Sequence, residues 1–208
     1  LIILNKDFKV ILELYSKGDC VMRVGLIVLA VILIIVVGFG AIIVGSYNNL
    51  VKLDEETNAK WAQIENQLQR RADLIPNLVN TVKGFAAQEE NVLLGVTQAR
   101  SRLETARTPG EYADANAQLT TALERLNVVV EAYPELKSNE NFIRLQDELA
   151  GTENRIAVAR MDYNESAEIL NKKVRTFPTN IVAGLFGFNQ REYFKVSDEA
   201  KEVPQVNF

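Results

Sequence analysis

The sequence predicts an all-α protein, with an N-terminal transmembrane helix continuing into an antiparallel up-and-down bundle of about four long helices. Three observations lead there. Val24 to Ser46 is a run of 23 residues without a charge. Apolar residues then recur at three- and four-residue steps through most of the remaining chain, the period of one helix face. Proline, glycine and cap residues divide this pattern into segments of helix length.

Residues 1–21, LIILNKDFKVILELYSKGDCV, precede the anchor, and Met22-Arg23 opens it. Met22 is read as the true start, with 1–21 as translated leader, because Lys17-Gly18-Asp19 can be encoded AAA-GGA-GAT, a purine-rich ribosome-binding sequence just upstream. The competing reading is an amphipathic helix through Ile2, Phe8, Ile11, Leu12 and Tyr15. A tryptic peptide from 1–21, found by mass spectrometry of the purified protein, would sink the leader reading.

Residues 22–46 form the predicted anchor. At 1.5 Å per residue the uncharged run is about 35 Å long, enough to cross a hydrocarbon core of about 30 Å. It exceeds the apolar region of a cleaved signal peptide and is followed by no small-x-small cleavage site. Arg23, with Lys17 behind it, flanks its N-terminal end, and Lys52 followed by Asp54, Glu55 and Glu56 lies after it, which predicts a cytoplasmic N-terminus and an extracytoplasmic bundle. Gly38, Ala41 and Gly45 form a small-residue face, most simply ordinary glycine usage in a membrane helix.

Residues 47–178 form the predicted bundle. No proline or glycine follows Gly45 until Pro76, so the helical pattern leaves the anchor unbroken. Its stripe is Leu50, Leu53, Thr57, Trp61, Ile64, Leu68, Ala72, Ile75, Val79, Val82 and Ala86. Pro76 should kink this helix, and Gly84 marks where it breaks. A second stripe, Val92, Leu93, Val96, Ala99 and Leu103, runs towards Arg107. Thr108-Pro109-Gly110-Glu111 is a helix start, with an N-cap, proline at the first position and a capping box. The third helix carries Tyr112, Ala115, Leu119, Ala122, Leu126, Val129 and Tyr133, and Pro134 ends it. After the linker PELKSN, the last helix carries Phe142, Leu145, Leu149, Thr152, Ile156, Ala159, Tyr163, Ala167, Leu170, Val174 and Phe177, closed by Pro178. Matching these lengths pairs the first helix with the last and the second with the third, and an up-and-down four-helix bundle follows. Residues 179–208 are read as an apolar loop, TNIVAGLFGF, and a tail laid on the bundle; the loop either caps the bundle base or dips into the bilayer surface.

Composition narrows the chemistry. The chain has 23 Lys/Arg, 27 Asp/Glu and no histidine. Setting aside Lys6, Lys9, Lys17 and Arg23, and Asp7, Glu13 and Asp19, leaves 19 basic and 24 acidic residues after the span, a net charge of about −5. The charges are mixed, without the clustered basic face that nucleic acid requires. Without histidine, the commonest general base and metal ligand is missing. Cys20 is the one cysteine and lies before the span, so the bundle has no thiolate nucleophile or disulfide. Glu55-Glu56 and Glu89-Glu90 are adjacent in sequence and diverge on a helix, unlike a catalytic pair. No catalytic, cofactor or metal residue is assigned. The charged run Arg70, Arg71 and Asp73 on the first helix and Glu153, Asn154, Arg155 and Arg160 on the last are expected to meet as an interhelical ion-pair network; a polar recognition surface is the competing reading.

Several stretches, YNNLVKL, WAQIENQLQRRADLIPNLVNTVKGFA, YPELKSNENFIRLQDELAGTENRIAVARMDYN, FPTNIVAGLFGF and VPQVNF, resemble the bacterial LemA family in the same order, from Met22 to Phe208. The resemblance implies a single-span membrane protein with an up-and-down helical bundle, and no particular reaction. Where the family pattern has a histidine in a YA-HE-like segment, this chain reads Ala87-Gln88-Glu89, so a histidine-dependent role does not carry over. The resulting expectation is a non-enzymatic adaptor or scaffold of the bacterial envelope, in the inner membrane, with a protein partner or self-association. The alternatives are a signalling module acting through the continuous helix and, remotely, a hydrolase.

Overall fold

A computed structural model describes residues 2–195, with side chains from residue 26 to 195. The side chains of the apolar face read over residues 1–21, and the closing VPQVNF, lie outside the described residues. The described chain is all-α, with six helices: α1 (Ile2–Lys83), α2 (Glu90–Thr105), α3 (Pro109–Val130), α4 (Pro134–Lys137), α5 (Glu140–Arg175) and α6 (Thr179–Phe186). Two compact units emerge, Leu1–Asn49 and Leu50–Phe208.

In the first unit, α1 is long and apolar enough to cross a membrane, and none of the span is buried within the protein. Leu26, Ile32, Ile34 and Val37 are each more than half exposed, so the run is apolar on every face.

In the second unit, α1, α2, α3 and α5 are the long helices of a bundle, and the stripes become its core. Ile64, Leu68, Ile75, Val82, Val96, Leu119, Leu126 and Ile156 are all buried in one cluster. Alignment is antiparallel. Thr57 bonds Ser166 (2.9 Å), Lys60 pairs with Asp162 (3.1 Å) and Arg71 pairs with Glu153, so descending α1 means ascending α5 backwards. The turn between α1 and α2 starts at Gly84, whose N–H donates to Thr81 O. The start of α3 is as its sequence dictates: Thr108 accepts from the Glu111 N–H, Glu111 returns a bond to the Thr108 N–H, and Pro109 takes the first position, where its missing donor costs nothing.

Four local expectations are corrected. The linker PELKSN contains a one-turn helix, α4, because Pro134 suits a first helical position as well as it stops the preceding helix. In α3 the buried valine is Val130, with Val129 only half-buried, and Tyr133 has left the helix. Phe177 lies beyond the end of α5 and is 75% exposed, so it has left the stripe. TNIVAGLFGF is not a loop: residues 179–186 form α6, which Gly187 ends in the left-handed conformation (φ 78°). The N–H groups of Gly187 and Phe188 both return to Ala183 O, a closure that needs a residue without Cβ penalty at 187.

Candidate functional site

The polar centre of the bundle is built around Arg71, which faces inward from α1 with 3% of its surface exposed. Its Nη1 donates to Asn116 Oδ1 on α3 (2.5 Å) and to Glu153 Oε2 on α5, and its Nη2 donates to Thr120 Oγ1 (3.1 Å). One guanidinium therefore ties three helices. Only a residue with a planar fork of donors does this from one position. Burial pushes the Arg71 pKa down against the attraction of Glu153, so the charge is held at a net cost. Beside it opens a pocket of about 350 Å³ lined by Thr120, Glu124, Asn127, Gln146 and Asp147.

The predicted charged residues divide among several roles. Arg71 and Glu153 meet across α1 and α5. Arg70 reaches Glu148 at 3.5 Å on the exposed side, a pair that contributes about 0–1 kcal/mol. Asp73 is not interhelical: it accepts from Gln69 one turn back on α1 (2.8 Å). Asn154 and Arg155 line a shallow groove with Gln63 and Gln67. Arg160 sits over the Phe194 ring, 5.6 Å from its centroid. Glu55 and Glu56 are exposed. Glu89 accepts from Tyr133 Oη (2.9 Å), and Gln88 donates to the same phenol (2.8 Å). These bonds tie the turn before α2 to the turn before α4, with Glu89 holding the Tyr133 pKa up. Among the described residues, no group of three or more His, Cys, Asp or Glu could hold a metal ion.

Sequence reading missed a second polar device. Residues 189–195 cross the bundle as an extended strap, and two asparagines of α5 bind it as a neighbouring strand would. Asn171 Nδ2 donates to Arg191 O (2.9 Å) while its Oδ1 accepts from Arg191 N (2.7 Å). Asn164 repeats this pairing with Phe194 (3.1 and 2.8 Å). Two turns of helix separate the asparagines and three extended residues separate their targets, spans of about 10 Å each. Tyr163 Oη donates to Glu192 O between them (2.7 Å), and burial raises the phenol's pKa. Arg191 closes onto Asp54 of α1 (2.8 Å). Phe194, 1% exposed, enters an aromatic cluster with Trp61, which stands 5.5 Å from Tyr112 and 5.2 Å from Tyr163. Asn171→Ala should loosen the strap, costing about 1–3 kcal/mol because Arg191 N–H and C=O lose their partners together. Limited proteolysis of the full chain checks this: cleavage within 189–195 should accelerate relative to the wild type.

This arrangement supplies bonding across helices and strap. Similarity to known proteins agrees with the architecture. The chain matches the "LemA family" model over residues 60–208. It is 31% identical over 186 residues to "Magnetosome protein MamQ 2" of Paramagnetospirillum magneticum, covering 77% of this chain and 68% of that one. It is 27% identical to "Magnetosome protein MamQ" of Magnetospirillum gryphiswaldense (88% and 78% covered) and 26% identical to "Protein LemA" of Metamycoplasma hominis (77% and 74% covered). The family match contains Arg71, Asn116, Glu153, Asn164 and Asn171, so the polar centre and the strap both fall inside it. With an apolar N-terminal helix leading into a bundle built this way, the chain is a membrane-associated member of the LemA family.

Proposed function

We propose that this protein is a non-enzymatic, membrane-tethered adaptor or scaffold of the bacterial cell envelope. One observation carries the reading: among the described residues the most deeply buried charged group, Arg71, donates to acceptors on α3 and α5 and so serves rigidity. The two magnetosome relatives are named for a cellular structure rather than a reaction, which suits a scaffold. The partner-facing candidate is the groove between α1 and α5, of about 430 Å³, where Val158 and the neighbouring Met161 remain 57% and 64% exposed. Lys17 and Arg23 before the span against Lys52 after it favour an extracytoplasmic bundle. The test is affinity capture from solubilised membranes with the anchor intact, with a photo-crosslinker at Met161. A discrete adduct with a partner or a second copy is expected; no adduct there would count heavily against an adaptor.

A second reading is a signalling module that passes an envelope signal along α1. It is favoured by the absence of any helix break from Ile2 to Lys83. Inserting three residues after Gly45 would turn the following residues by about 300°. An unchanged envelope-stress response in that variant would argue against transmission by helix rotation.

A further inference from the structure

The segment that follows α5 is apolar on a side the bundle leaves uncovered. α6 buries Val182 and Ala183 but presents Ile181 (47% exposed) and Leu185 (72% exposed) one turn apart, and Phe177 stands out beside it. Phe177 to Phe188 contains no charge. Immediately before it, the last turn of α5 carries Lys172, Lys173 and Arg175. We propose that Phe177 and α6 form an interfacial foot. Its apolar side chains enter the acyl boundary of the membrane that holds the anchor, while the basic turn faces anionic lipid headgroups.

Three further observations favour a bilayer as the occupant, and the proposal rests on the membrane-anchored reading above. The first is place. The α1–α5 pairs run from Arg71 with Glu153, through Lys60 with Asp162, to Thr57 with Ser166. Continued, this register sets the last turn of α5 beside Leu50, where the second unit begins. Asp54 bonded to Arg191, itself bonded to Asn171, confirms that end of the unit. The second is reach. Ser46 ends the predicted anchor, and even a fully extended chain from Ser46 to Leu50 covers at most about 14 Å. On the membrane-anchored reading, chain connectivity alone keeps the end of the bundle that carries α6 within reach of the bilayer. The third is composition. Eight residues are too few to span but suit a helix lying in the interface, where aromatic and aliphatic side chains sink and flanking cations stay at the headgroups.

The test uses the full chain with Cys20→Ser and single cysteines carrying an environment-sensitive NBD fluorophore, at Leu185→Cys, Ile181→Cys, Val31→Cys within the span and Ser138→Cys beyond α4. Each is reconstituted into phosphatidylethanolamine–phosphatidylglycerol vesicles with and without acyl-chain nitroxide lipid. The expected result is loss of emission to nitroxide lipid at positions 185 and 181, as at 31, and none at 138. Quenching at 31 but not at 185 or 181 would overturn the foot while leaving the anchor intact. A probe at 185 that is shielded from aqueous iodide yet insensitive to the nitroxide would overturn it in favour of a protein cover. No quenching even at 31 would overturn the foot and the anchor together, and crosslinking at Met161 would still report separately on the adaptor reading.

Discussion

Glu153→Leu should destabilise the protein more than Arg71→Met, although the two residues form one ion pair. Arg71 is 3% exposed, whereas Glu153 keeps 40% of its side chain in solvent. Removing the glutamate leaves a guanidinium that cannot reach water and cannot shed its charge. Breaking a buried pair this way costs about 3–5 kcal/mol, at the lower end here because Asn116 and Thr120 remain as acceptors. Removing the arginine leaves a glutamate that can turn outward, and the loss falls on the buried Asn116 Oδ1, about 1–3 kcal/mol. The double variant Arg71→Met/Glu153→Leu should recover most of the loss, since an apolar pair of similar volume leaves no buried charge behind. Thermal unfolding of the full chain in detergent checks the order, with a fall of about 2–4 °C per kcal/mol for a unit this size. Equal losses for the two single variants, or a double variant as poor as their sum, would show that the buried charge is not the costly partner.

That asymmetry also marks how far the sequence could be read. Burial of most of the α1 stripe from Leu50 to Val82 was legible because a helix presents one face to the core, and the periodicity of apolar residues names that face directly; Leu53 and Trp61 are only half-buried, and Ala86 is buried beyond the end of α1. The Arg71–Glu153 pairing was legible as charge on two helices of matched length. Asn116 and Thr120, which complete the centre, were not, because a short polar side chain on a helix has no pattern that reveals which way it faces. Asn164 and Asn171 were illegible for a stronger reason. Their partners are backbone groups of an irregular strap some twenty to thirty residues away, and only the tertiary register brings amide and peptide into line. The sequence predicts a loop where α6 forms because Gly184 and Gly187 lower helix propensity, yet Val182 and Ala183 find a buried surface and Gly187 acts as terminator rather than breaker.

Arg100 and Pro76 should prove energetically coupled, although they lie on different helices. Proline in a helix interior removes the N–H that would bond the carbonyl four residues earlier and costs about 3 kcal/mol or more. Here that carbonyl belongs to Ala72, itself buried, yet α1 continues through Pro76. The reason lies on α2. Arg100 Nε donates to Ala72 O at 3.0 Å, while its Nη2 is held by Glu104 at 2.7 Å. A side chain from the neighbouring helix supplies the bond the proline took away. Arg100→Met should therefore cost about 1–3 kcal/mol, the penalty of a buried carbonyl left without a donor. In a Pro76→Ala background the helix regains its own N–H, and the same substitution should cost less than about 1 kcal/mol, leaving only the exposed pair with Glu104 to lose. The difference is a coupling energy of about 1 kcal/mol or more, readable from a double-mutant cycle on chemical denaturation. Equal costs in both backgrounds would mean that Ala72 O finds another donor. The coupling also explains how a proline can sit inside α1: the defect is made good when α2 folds back against it, so Pro76 ties the integrity of α1 to closure of the bundle.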